Sequence, residues 1–257
     1  MLDPKKYPKS GTSSSERYFF ADLEVGNFLN WIAFMAGSID RVRKVAKEAL
    51  DEVNEDEREA EVDSEDGDEG IMIQELKKNR LIIIHMLHTR MVDNYLTYLS
   101  EILVECFTAK PEAMRSSEKV EISEILQYDN FQGIVEHVAE KKVHSLSYQS
   151  ITDLDSYFVD KFNVHIVEEK DKEFLIKAIE TRNLITHNRG IRNKIYIQKV
   201  GEDESEIGKI RDIGIDFSEK VNKLFYNSVK QLDSSLRKKL GVPGHRFDIY
   251  ESFKERA

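Results

Sequence analysis

This chain of 257 residues has one cysteine, one tryptophan, four prolines and no excess of positive charge, and each scarcity removes a class of protein. One cysteine excludes an intrachain disulfide and fits a reducing, cytoplasmic setting. Cys106 lies in the apolar run Ile102-Leu103-Val104-Glu105-Cys106-Phe107, which favours a buried thiol over a reactive one. The 38 basic side chains face 48 acidic ones, a formal charge of −10, so a bulk nucleic-acid binder is excluded and any site for an anion must be local. Met1 to Ser15 contains lysines but no apolar run, so neither a secretory leader nor a membrane anchor is expected there. No residue spacing reads as a metal site. In Asp63-Ser64-Glu65-Asp66-Gly67-Asp68-Glu69-Gly70 the glycine falls out of register for a calcium loop, and no glutamate completes it.

The prolines lie at positions 4, 8, 111 and 243, and the long stretches between them are free to be helical. Phe28, Trp31, Ile32, Met35, Ile39, Val42, Val45, Ala46 and Ala49 recur at helical spacing from Asn27 to about Ala49. Between Asp51 and Glu69, 12 acids accompany one arginine, the composition of a solvated connector. A long helix is expected from Ile71 or Gln74 to Phe107, with Ile82-Ile83-Ile84 making part of it apolar all round and therefore centrally buried. Shorter helical pieces follow at Ile122 to Leu126 and Phe131 to Val143, then one introduced by Ser150 and Thr152. Longer patterns run from Asp171 to Asn188, with Gly190 at its C-cap, and from Phe217 to Leu240. Lys194 to Val200 alternates in the manner of a strand and pairs, on this reading, with Ile210 to Ile215. The organisation expected is a flexible tail (1–16), an N-terminal helix (17–50), an acidic disordered linker (51–70), a helical domain (71–240) and a C-terminal tail (241–257). The fold class is all-α with long antiparallel helices and one short β-hairpin after the Asp171 to Asn188 helix.

Chemistry concentrates in Arg182-Asn183-Leu184-Ile185-Thr186-His187-Asn188-Arg189-Gly190. A guanidinium, two amides and an imidazole suit a phosphodiester better than a core. Asn183 and His187, four apart, share a helix face, whereas Arg182 and His187 diverge by about 140° on an ideal helix. That divergence asks for a groove, or for a second copy of the helix across a two-fold axis. The spacing alone decides nothing, because Arg80-Leu81-Ile82-Ile83-Ile84-His85 repeats it with apolar filling and reads as a core or interface histidine. Asn183, Asn188, Gly190, Asn193 and Tyr196 set the second match apart.

With those residues the stretch Arg182-Asn183-x-Ile185-x-His187-Asn188-x-Gly190-x-x-Asn193-x-x-Tyr196 resembles the signature of HEPN domains, all-helical modules of prokaryotic toxin and antiphage systems. Val92-Asp93-Asn94-Tyr95-Leu96-Thr97-Tyr98-Leu99 resembles the earlier long helix of that family, where an acidic residue faces the motif. The similarity spans Ile71 to about Leu240 and implies a HEPN-like bundle, a homodimer with paired motifs, and a metal-independent endoribonuclease without cofactor. Its RNA substrate would be cut by 2′-hydroxyl attack on the adjacent phosphodiester. The resemblance implies His187 as proton shuttle and Arg182 as phosphate clamp. It implies Asn183 as the orienting amide, Asp93 and Asn188 as supporting groups, and Arg189, Asn193 and Tyr196 as contacts to RNA. A cognate antitoxin or defence-system partner is implied as well. Some relatives carry a tyrosine, modified by a partner enzyme, two residues after the histidine; Arg189 stands there, so that control is not expected.

Structural alternatives stay open for every one of these side chains. His187 can cap the helix end, and Arg182 can bridge to Glu180, Glu173 or Asp93. Asn188 and Gly190 can simply stop the helix, and Asn193 and Tyr196 can fix the turn into the strand. A catalytically silent scaffold or RNA-binding module and a regulatory member of a toxin pair therefore stand beside the ribonuclease. The aromatic-rich N-terminal helix is either a partner surface, a self-inhibiting flap or core packing.

Overall fold

The computed structural model describes residues 7–53, 70–115 and 120–256. Among them are ten α-helices and one two-stranded sheet, so the chain is all-α. The acidic segment from 54 to 69, with the excluded calcium loop up to Glu69, lies outside the described residues.

Helix α3 (Arg80–Ala109) is the hub, packing against α1 (Ser13–Val53), α5 (Phe131–Ser147), α7 (Lys172–Asn188) and α9 (Ile215–Leu240). Its residues Val92, Tyr95, Tyr98, Leu99, Ile102, Leu103, Cys106 and Phe107 form one broad buried stripe that these neighbours cover, while Thr97 on the other side is exposed. Tyr95 stacks on Phe225 with centroids 4.1 Å apart, and its hydroxyl shares a hydrogen with Ser228 Oγ at 2.6 Å. Ser228 in turn donates to the Ile166 carbonyl, so the Tyr95 hydroxyl is satisfied. The Cys106 thiol is buried, and burial first, then the Glu105 and Asp233 charges, raise its pKa well above the ordinary thiol range.

Central burial does not fall on Ile82-Ile83-Ile84, as the sequence suggested. Ile84 is buried, but Ile82 is 64% exposed. Nor does one helix run from residue 71 to 107. The chain forms α2 (Ile71–Lys78) and then α3, with the break at Asn79, whose backbone N–H and side-chain amide both donate to the Glu75 carbonyl. An asparagine that hydrogen-bonds its own backbone offers the chain an alternative to the continuing ladder. Helices α4 (Ile122–Ile125) and α6 (Ile151–Phe162) occur where expected, α6 capped by Ser150, whose Oγ accepts from the Asp153 N–H.

Both termini are better built than the expected tails. Ser10–Gly11 (β1) pairs antiparallel with His245–Arg246 (β2), and α10 (Ile249–Arg256) follows. Helix α1 starts at Ser13 rather than residue 17, and its first turn is buried. The free N–H groups there find two carboxylates. Thr12 donates from its backbone and hydroxyl to Asp233 Oδ1 at 3.0 and 2.6 Å, and Ser14 donates from both to Glu105 Oε1. Negative charge at a helix N-terminus is favourable, and here it closes α1 onto α3 and α9. Farther along α1, Tyr18, Phe19 and Leu23 enter the core, while Phe28, Trp31 and Phe34 are each more than half exposed. No helix of the described residues is long and apolar enough to cross a membrane.

Asp233→Ala strands the Thr12 donors in a buried setting and is expected to lower the unfolding free energy by about 2–3 kcal/mol, read from urea titration. An unchanged midpoint would show that water replaces the carboxylate without cost.

Candidate functional site

Helix α7 carries the motif, and a cleft of about 620 Å³ opens along it between α7, the end of α5, the start of α6 and the following short helix α8 (Lys194–Val200). Arg182, Asn183, His187 and Asn188 all line this cleft. The residues that an ideal helix would spread over 140° thus reach one groove within a single protomer. Arg182 Nη2 pairs with Asp93 Oδ1 at 2.7 Å, and Nη1 donates to Asn183 Oδ1 at 3.2 Å. Of the three carboxylates considered for Arg182, Asp93 on α3 is the one it meets. The Arg182 Nε–H is buried and has no acceptor within the described residues. His187 is exposed on the cleft wall.

The remaining expected residues have structural employment. Asn188 donates its amide to the Ile191 carbonyl, tying the turn after α7. Asn193 accepts the Tyr196 backbone N–H at 2.9 Å and so caps α8. Tyr196 is buried with Leu184 and Ile197, its hydroxyl against Thr181 Oγ1 at 3.2 Å, and it lines the cleft together with Asn193. Arg189, at the C-cap of α7 in a left-handed conformation, is exposed and lies outside the cleft wall. The strand expected at Lys194 to Val200 is therefore a helix. Asn193 starts it, Gly201 ends it, and Tyr196, Ile197 and Val200 pack as an i, i+1, i+4 set. Of the expected hairpin there remains a single bridge between Ile191 and Ile210.

The look-alike pair at Arg80 and His85 explains itself. Arg80 Nη2 holds both oxygens of Asp212 at 3.0 and 2.8 Å, and His85 Nε2 lies 2.9 Å from the Arg211 carbonyl, both fastening the loop before α9. Gly190 sits directly against His85: a Cβ there would come within 2.7 Å of the imidazole Cε1, and its φ of +75° also favours glycine. Beside it, Glu202 joins Lys177 at 2.8 Å, Arg192 at 2.9 Å and Arg211 at 3.7 Å. Burial works to raise the Glu202 pKa, but the Lys177 hydrogen bond and the Arg211, Lys177 and Arg192 charges hold it below the usual range. This cluster pins the loop after α8 under α7. Lys177, Arg192, Glu202 and Arg211 share no motif spacing, so the cluster is not legible in the sequence.

His88, also unremarked in the sequence, fixes the distance between α3 and α7. Its Nε2 meets the Ala178 carbonyl at 2.9 Å, which makes it the donor, and the ring is fully buried. Burial lowers its pKa to about 4 against the opposing Ala178 hydrogen bond, with smaller lowering from His85 and Arg211.

Searches against protein-family models, curated proteins and solved structures return no match for this chain.

The contacts of His88 and Gly190 behind the cleft can each be tested. Because the folded His88 pKa lies below the unfolded value of about 6.5, the unfolded chain binds the proton more readily. The contribution is whole above that value and is lost as pH falls towards about 4. On the order of 3 kcal/mol should disappear across this window, and His88→Gln should flatten the pH slope of unfolding free energy; an identical slope would refute the assignment. Gly190→Ala is expected to cost about 1–3 kcal/mol through the positive φ and the His85 contact, with His85→Ala relieving only the steric part in the double variant. Thermal melts check both, and a neutral Gly190→Ala would contradict the close approach.

Proposed function

We propose that this chain is a metal-independent endoribonuclease of the HEPN type, acting as a homodimer in a toxin or antiphage role. The observation that carries this reading is the convergence of Arg182, Asn183 and His187 on one open cleft, with Asp93 of α3 paired to the arginine. The proposed step uses these groups directly. The His187 imidazole takes the proton of a ribose 2′-hydroxyl, and the oxygen attacks the adjacent phosphorus. The bond to the 5′-oxygen breaks, leaving a 2′,3′-cyclic phosphate and, once that oxygen is protonated, a 5′-hydroxyl. Arg182 faces the charge that grows on the phosphoryl oxygens. In the dimer, the partner subunit's His187 supplies the proton to the leaving oxygen. Asn183 keeps the Arg182 fork aimed, since the two side chains are already hydrogen-bonded.

One observation favours a second reading, a HEPN-like protein-interaction scaffold or the regulatory member of a toxin pair. Phe28, Trp31 and Phe34 on α1 are exposed, and a row of large aromatics in water is the composition of a contact surface.

The test is incubation of the purified protein with mixed RNA in the presence of chelator. Wild type is expected to give fragments ending in cyclic phosphate, and His187→Ala and Arg182→Ala each to lose roughly 100-fold or more in rate. Equal cleavage by all three proteins, or none by any, would remove the ribonuclease reading in favour of the second.

A further inference from the structure

Across the cleft from α7 runs the turn that joins α5 to α6, and its two central residues are Tyr148 and Gln149. Tyr148 is 79% exposed. It is nonetheless held. Its ring meets His144 edge to face with centroids 5.0 Å apart, and its hydroxyl lies 3.3 Å from His144 Nε2. The turn is fixed at both ends, by the Gln149 N–H on the Leu146 carbonyl and by the Ser150 cap of α6. A large aromatic face is thus presented to solvent by a rigid support, on the rim of the same cleft that holds Arg182 and His187.

We propose that Tyr148 and Gln149 form a nucleobase subsite, in which a base of single-stranded RNA stacks on the phenol ring and the Gln149 amide meets its edge. The chemistry selects a base for two reasons. A planar π-face is the natural partner of an exposed aromatic, and stacking of this kind is tolerant of base identity. An amide carries both donor and acceptor, as the edge of a base requires. Single-stranded RNA is selected because bases in a duplex are already stacked and cannot splay onto the ring. The cleft of about 620 Å³ that Tyr148 and Arg182 both line has the capacity for one nucleotide. The inference deepens the ribonuclease reading, which supplies the meaning of the neighbouring Arg182, but it is tested separately from cleavage.

The probe is a short fluorescein-labelled oligouridylate with 2′-O-methyl sugars, which cannot be cut by 2′-hydroxyl attack. Binding to the full chain is followed by anisotropy. Tyr148→Ala is expected to weaken binding roughly tenfold, Tyr148→Phe to stay near wild type, and an abasic strand to bind wild type and Tyr148→Ala equally weakly. Matching melting curves will show that Tyr148→Ala folds. Equal affinity of wild type and Tyr148→Ala, failure of wild type to bind the strand, or equal binding of abasic and uridylate strands overturns the subsite. Binding that depends on Tyr148 without cleavage of ordinary RNA upholds the subsite and removes the ribonuclease; cleavage that ignores Tyr148 does the reverse.

Discussion

Helix α3 has to be covered along the broad apolar stripe from Val92 to Phe107, and the rest of the molecule is arranged by that demand. A helix with so wide an apolar stripe is stable in water only when several other helices cover it. Once α1, α5, α7 and α9 take those places, α7 can no longer choose its rotation. Leu175, Ala178 and Ile179 face the core, and His88 on α3 fixes the spacing through the Ala178 carbonyl. Arg182, one turn after Ala178 on that same face, meets Asp93 of α3, and Asn183 and His187 on the adjoining edge line the groove with it. The position of the candidate site is a consequence of where the apolar stripe of α7 lies.

That stripe was legible in the sequence, as were most helices and the pairing of an acidic residue on the earlier helix with the motif arginine. Periodicity reports burial, and burial is what builds these elements. It fails where a single polar side chain overrides the pattern. Asn79 interrupts an otherwise continuous helix by turning its amide onto Glu75, and Asn193 starts a helix in a segment whose alternation resembles a strand. Seven residues with Tyr196, Ile197 and Val200 fit a strand face and a helix face about equally, so the cap decides. The termini were misread for a different reason. Thr12 and Ser14 look solvated in isolation, and the carboxylates that bury them, Asp233 and Glu105, are more than 90 residues away.

The site divides along the same line. Arg182, Asn183 and His187 come together because helical spacing and a single groove suffice. Asn188, Asn193 and Tyr196 distinguish the motif from its apolar look-alike, yet the structure employs them in turns, caps and packing. They hold α8 and the loop that forms one wall. A motif of this type encodes a cleft as well as the groups within it. Tyr148 carried no signal, because an exposed tyrosine in a turn is ordinary until the turn is seen to face α7.

The ion pair of Arg182 with Asp93 bears on how such a cleft would work. With side-chain exposures of 24% and 39%, it is screened by water and contributes little to stability, roughly 1 kcal/mol at most. Its effect is on freedom of movement. An unpaired arginine samples many rotamers, and one held by Asp93 and Asn183 has given up that entropy before any ligand arrives. The same carboxylate offsets the positive charge that a phosphate would seek, in a chain already carrying a net charge of −10. On the ribonuclease reading, long-range attraction therefore cannot gather RNA. The strand has to be held by short-range contacts, and a phosphate reaching Arg182 would act on a guanidinium already aimed rather than on one that must first be ordered.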